Sequence, residues 1–224
     1  MAAFRVRPPP GVLTSSSRQR RLLRLWDRHA DTYDRQMSGI ERRFFRDTRA
    51  WIAGQATGDT LEVAIGTGLN LPYYPAGVRL TGIEWSPAML RIARRRAADL
   101  GREVELHTGD AQALDFPDAR FDTVACTFAL CAIPDARAAL AEMARVLRPG
   151  GLLLLADHVA SPVWPVRALQ AVVDAVTVPL QGEHFGRRPL PWAVELGFTV
   201  ERRDRFNLGI IERFAARAPG TSDT

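Results

Sequence analysis

Lysine is absent from this 224-residue chain, so all 30 of its basic residues are arginine. That absence removes one class of site at once, the glycine-rich phosphate cradle that needs a lysine followed by serine or threonine. Cysteine is scarce as well. Cys126 and Cys131 sit in an apolar stretch at a spacing that fits no zinc or redox motif, so no metal is expected there. They read as small buried hydrophobes, and a chain without a disulfide framework suits a reducing cytoplasm. The N-terminus "MAAFRVRPPPGVLTSSSRQR" is positive but has no apolar h-region, which excludes a secretory signal. No uninterrupted apolar run is long enough to span a bilayer. The unusually apolar segment 160–192 carries Arg167 and Asp174 and is cut by Pro165 and Pro179.

What is present describes a globular chain, 46% hydrophobic and 25% charged. The formal charge is +5, but arginine and alanine are inflated together, which points to compositional bias before it points to an anionic partner. Triple proline and triple serine mark 1–17 as a flexible tail, and "APGTSDT" marks 218–224 as another. Residues 18–217 read as one domain. It opens with a helical extension over 18–57, where Leu22, Leu25, Trp26, His29 and Tyr33 recur at helical spacing.

From there strand and helix alternate. "TLEVAI", "RLTGIEW", "EVELHTG", "FDTVACTFAL" and "LLLLADHV" read as strands. Between them, Ser86 and Pro87 open a helix that Gly101 closes, and "DARAALAEMARVLRPGG" is a helix ended by Pro149 and two glycines. "ELGFTVERRDRFNLGIIERFAARAP" reads as two further strands. The expected fold is α/β: a Rossmann-like, doubly wound, mostly parallel seven-stranded sheet with a terminal antiparallel hairpin and an N-terminal helical extension.

In such sheets the ligand lies beyond the carboxyl ends of the strands, at the switch point. The turn in "LEVAIGTGLN" is there, with Gly66 and Gly68 but no third glycine of a dinucleotide fingerprint. Glu62 stands beside that turn, Glu84 ends the second strand and Asp110 follows the third. Carboxylates repel a pyrophosphate and attract a cation. S-adenosylmethionine is such a ligand. Glu62 can orient the loop or reach its ammonium through water, Glu84 can accept both ribose hydroxyls, and Asp110 can accept from the adenine amine.

With these residues in this order, the chain resembles the class I S-adenosylmethionine-dependent methyltransferases. The matching pieces are "LEVAIGTGLN", "GIEWSPAMLRIARRRA", "HTGDAQALDFPDARFDTV" and "EMARVLRPGGLLLLADHV". Ala64 departs from the pattern, standing where the family's first glycine does. The resemblance implies that Gly66, Gly68, Glu84, Asp110 and Ala111 line the cofactor. It also implies that Trp85 stacks beside the adenine, that Thr127 lies under the methionine part, and that Tyr33 closes over the top.

The second half is similar to bacterial phospholipid and thiol methyltransferases and to quinone C-methyltransferases. That resemblance implies a small or lipid-like apolar acceptor in the cytoplasm, with a peripheral membrane contact compatible. Segment 160–192 reads either as an apolar lid over the acceptor or as a helix packed on the sheet. His158 and His184, beside Asp157 and Glu183, are the candidates for a general base if the acceptor must lose a proton, and both also read as structural. Two alternatives stand beside methyl transfer to such an acceptor. One is a protein of the same fold that binds the cofactor without transferring its methyl. The other is an RNA methyltransferase, although no basic–aromatic alternation supports nucleic acid.

Overall fold

The computed structural model describes residues 17–220, so residues 1–16 and 221–224 of the expected tails lie outside it; Ala218, expected in the second tail, is buried, with its N–H donating to the Gly151 carbonyl. Five strands run parallel: β1 (Asp59–Val63), β2 (Arg79–Glu84), β3 (Val104–Thr108), β4 (Phe121–Thr127) and β5 (Leu147–His158). Strands β6 (Thr199–Phe206) and β7 (Ile211–Arg217) form the terminal hairpin, with β7 antiparallel to both β5 and β6. The seven-stranded order is β3-β2-β1-β4-β5-β7-β6. The chain leaves β1 outward through β2 and β3, then returns to lay β4 on the other side of β1. That reversal opens a crevice at the carboxyl ends of β1 and β4.

The central strands are apolar on both faces because both faces are covered. Successive leucines of β5 alternate between two cores. Leu153 and Leu155 join Phe121, Leu140, Met143 and Phe214 on one side. Leu152 and Leu154 join Ile52, Leu71, Leu90 and Ala215 on the other.

The covering helices start where their sequences say they should. Helix α1 (Ser17–Ile40) runs into a π-type turn at Glu41–Phe45, and α2 (Thr48–Ala53) follows. Helix α3 (Pro87–Asp99) has Pro87 in its first turn and is capped by Ser86, whose hydroxyl accepts from the Met89 N–H. Helix α4 (Ala136–Val146) is capped by Asp135. It ends before Pro149 rather than at it. Leu147 already pairs with Phe121 in the sheet, and a bulge at Phe121/Thr123 takes up the Pro-Gly-Gly. Proline disfavours helical backbone at the residue before it, so the strand wins at Arg148.

Helix α5 (Trp164–Gln181) and the short α6 (Pro189–Glu195) occupy the 160–192 region. None of the residues of α5 is buried, and Trp164 is 73% exposed, so the helix does not pack into the sheet through its apolar side. Many arginines serve as clamps. Arg145 binds Asp118, Glu142 and the carbonyls of Leu114 and Phe116, and Arg213 pairs with Asp47 and Asp204 while stacking on Trp51.

One residue beside β1 carries backbone strain. Ala64 has φ 55°, in the left-handed region that a Cβ disfavours. Ala64→Gly should therefore raise stability by about 1 kcal/mol in urea unfolding. In the middle of α4, where the exposed Ala141 has ordinary helical backbone, Ala141→Gly should lower stability by about the same amount.

Candidate active site

A cleft of about 900 Å³ opens at the carboxyl ends of the strands. The end of β1 contributes Glu62 to its wall and the turn after it Ala64 and Gly66, while Glu84 ends β2 and Trp85 follows it. Asp110 and Ala111 follow β3, Thr127 ends β4, and Tyr33 reaches in from α1. Gly68 is the one expected lining residue that does not line it. A Cβ there would meet the Leu71 side chain at 2.7 Å and the Ala93 backbone at 3.4 Å, so Gly68 lets the loop press onto α3. Gly66 is the opposite case: no atom lies within 4 Å of where its Cβ would stand, which leaves that space to the cleft.

The carboxylates hold the site together. Glu84 is buried, with Oε2 accepting from the Gly66 N–H at 2.9 Å and Oε1 from the Ser86 N–H at 2.8 Å. Burial raises its pKa, and those amides oppose the rise. Glu62 is 3% exposed; its Oε1 accepts from Asn70 Nδ2 at 2.7 Å. Its Oε2 and the Tyr74 hydroxyl are buried without a hydrogen-bond partner. Burial pushes Glu62 up to about 7, with nearby Tyr74 and Arg49 pulling the other way. Asn70 Nδ2 also donates to Thr127 Oγ1 at 3.0 Å, and its Oδ1 accepts from Arg49 Nη1 at 2.9 Å. Arg49, in the cleft wall, is ion-paired with Glu41. Asp110 accepts from the backbone and side-chain amides of Gln112.

Helix α1 straps the cleft through two aspartates. Asp27 accepts from Ser86 Oγ at 2.5 Å and from the Ala88 N–H at 3.2 Å. Asp34 accepts from Thr67 Oγ1 at 2.6 Å and pairs with Arg96. Tyr33 and Trp26 meet edge to face at 6.4 Å, and burial pushes the Tyr33 phenol up to about 12. Sequence reasoning passed over Arg49, Asn70, Asp27 and Asp34. The aspartates left a signal, since they recur at helical spacing beside Trp26 and Tyr33. Arg49 and Asn70 left none.

His158 is not in the cleft wall. It lies behind Phe128, which is. The His158 ring centre is 5.4 Å from those of Phe45 and Phe128 and 5.3 Å from that of Phe185, and Phe45 stacks on Phe128 at 3.9 Å. Its Nδ1 is buried without a hydrogen bond, 3.6 Å from Asp157 Oδ1. Asp157 itself accepts from the backbone N–H groups of Cys131 and His158. Cys131, Asp157 and His158 thus converge, but burial and the Asp157 charge raise the Cys131 thiol well above its ordinary pKa, which keeps it neutral. His184 is tied by its backbone N–H to the Cys131 carbonyl at 2.9 Å and does not line the cleft. Burial raises the pKa of its neighbour Glu183. Phe128 has φ 54°, unusual for a bulky residue and placed where the cleft and the aromatic cluster meet.

Residues 61–155 match the family described as "Methyltransferase domain". A phosphatidylethanolamine N-methyltransferase of Cereibacter sphaeroides is 39% identical over 140 residues, covering 62% of this chain and 68% of that protein. A demethylmenaquinone methyltransferase of Renibacterium salmoninarum is 36% identical over 57% of this chain and 52% of its own length. A human thiol S-methyltransferase is 33% identical over 58% of this chain and 54% of its own. The chain therefore spans about half the length of the latter two. A SAM-dependent methyltransferase of Thermotoga maritima has the same fold, with a TM-score of 0.66 at 20% identity over 87% of this chain and 99% of that one.

The raised Glu62 pKa has a signed consequence. Between its ordinary value and about 7 the folded state binds the extra proton, so its contribution to stability falls as pH rises through that window. Urea unfolding at pH 5 and pH 7.5 should show the wild type losing stability relative to Glu62→Gln, by on the order of 2 kcal/mol.

Proposed function

We propose, from a chain that belongs to the S-adenosylmethionine-dependent methyltransferases, that it transfers the methyl group to a lipid-like acceptor whose reacting group is an amine. The observation that carries this reading is the shared wall at Phe128. One side of that residue lines the donor cleft, and the other packs with Phe45 against His158. Aromatic faces with the carboxylates of Asp157 and Glu183 nearby suit an ammonium group. The phosphatidylethanolamine N-methyltransferase relative supports the same chemistry.

The cleft residues fit the donor. Glu62 Oε2, buried with only the Tyr74 hydroxyl near it, suits the donor's ammonium, with Arg49 placed for its carboxylate. Glu84 has acceptor capacity left for the ribose hydroxyls, and Asp110, Ala111 and Trp85 suit the adenine. When bound, S-adenosylmethionine supplies an electrophilic methyl on a sulfonium. The chain's own part is to hold, orient and deprotonate. The α1 strap and Tyr33 exclude water above the cleft. Phe45, Phe128 and Phe185 align the acceptor nitrogen, which is the kind of positioning that supplies most of the acceleration in a displacement. An ammonium must lose a proton before its lone pair can attack; His158, which stands behind Phe128 and not in the cleft wall, would receive it through an intervening water. With Nδ1 turned toward Asp157, Nε2 is the nitrogen left to act.

The test is incubation with methyl-labelled donor and, in parallel, phosphatidylethanolamine, a quinol and a thiol. Label should enter the lipid. Label in the quinol or thiol alone would overturn the amine reading. His158→Gln should lower kcat by about 100-fold with little change in donor Kd, and should remove the rising limb of the pH profile. Glu84→Ala should raise the donor Kd by at least about tenfold. An unchanged Kd in the folded variant would remove the ribose contact.

A further inference from the structure

Helix α5 is amphipathic the wrong way round. Its half-buried stripe is largely polar and hydrogen-bonded inward. Gln170 Nε2 donates to the Val159 and Phe185 carbonyls, and its Oε1 accepts from the Ser161 N–H. Asp174 accepts from the N–H groups of Phe185 and Gly186, and Thr177 Oγ1 donates to the Glu183 carbonyl. The outer face is apolar: Trp164 is 73% exposed, Leu169 64%, Val172 65%, Val176 55% and Leu180 53%. Arg167 is the exposed charge on the helix. A helix on a water-facing surface ordinarily turns its apolar stripe to the core. Here the polar anchors hold it outward.

The ridge continues past the helix. Ser161 Oγ donates to the Leu208 carbonyl at 2.6 Å, which sets Leu208, 67% exposed, beside the start of α5. Asn207 Nδ2 donates to the Phe44 carbonyl, bringing in the exposed Phe44 under Arg43.

We propose that this ridge docks on an anionic lipid bilayer, with α5 lying in the interface. Charge decides for a bilayer over a second copy. Arg43, Arg167 and Arg188 are exposed around the ridge. A two-fold dimer would bring these like charges together, whereas anionic headgroups complement them. Among the described residues no helix is long and apolar enough to cross a membrane, so the mode is interfacial. The inner anchors of α5 hold the 183–186 segment, whose Phe185 packs on His158. Docking would therefore set the aromatic cluster at the lipid edge. This deepens the lipid-acceptor reading and rests on it for its purpose, although binding is measured without turnover.

The experiment is co-sedimentation of the full chain with phosphatidylcholine vesicles, with and without phosphatidylglycerol. The wild type should pellet with the anionic vesicles. The combined variant Leu169→Glu, Val172→Glu, Val176→Glu should bind them at least about 100-fold more weakly, while its melting and S-adenosylhomocysteine binding stay unchanged. Arg167→Gln should weaken anionic binding by about fivefold. A wild type left in the supernatant overturns the proposal, as does a triple variant that pellets normally. So does a concentration-dependent dimer that the triple variant abolishes without changing vesicle binding. Vesicle binding with no lipid methylation would instead sink the acceptor reading alone. Methylation of detergent-dispersed lipid without vesicle binding would sink the docking alone.

Discussion

A carboxylate buried between two backbone amides sets the geometry of this site. Glu84 takes the N–H of Gly66 on one oxygen and that of Ser86 on the other. The first belongs to the turn after β1, the second to the start of α3. One side chain therefore locks two loops at the switch point of the sheet. A buried charge is costly unless it is hydrogen-bonded, so the two loops are as necessary to Glu84 as it is to them. Ser86 extends the lock outward, since its hydroxyl reaches Asp27 and ties α1 across the cleft.

Beside that satisfied acid stands an unsatisfied one. Glu62 shares Asn70 with Thr127, and its other oxygen has only the buried Tyr74 hydroxyl near it. Burial alone would make it neutral, and its pKa of about 7 places it at the balance point. A protein that needed only a stable core would have little reason to keep such a group. A site that takes a cation has one, because the ligand's charge restores what burial removed.

The surroundings of His158 follow a different logic. Around His158 the walls are phenylalanines, with the carboxylates of Asp157 and Glu183 beside it and the Arg49 guanidinium, in the cleft wall, 5.9 Å from the Phe128 ring centre. Outside them α5 presents apolar residues to solvent while its polar residues hold the 183–186 segment in place. The sheet side of the molecule gathers carboxylates at the strand ends; the other side gathers phenylalanines beneath an exposed apolar helix.

The reach of the sequence is clear when these parts are compared. Strand and helix periods, the Ser86 cap, and the acids following successive strands are local patterns, and local backbone preference is enough to produce them. The sheet and the hairpin were legible for that reason, and so was the gathering of the strand-end acids at one cleft. Gly68 was assigned to the wall because spacing cannot tell a glycine that faces ligand from one that admits a neighbouring helix. Arg49, Asn70 and the Phe45–Phe128–Phe185 cluster were illegible, because their partners come from distant segments and share no period. Helix α5 is the sharpest case. Its sequence determined that one stripe is apolar and the other carries Gln170, Asp174 and Thr177. Only the tertiary structure decided which stripe faces inward, because that choice depends on the unpaired backbone groups at 159–161 and 183–186 that the polar stripe satisfies.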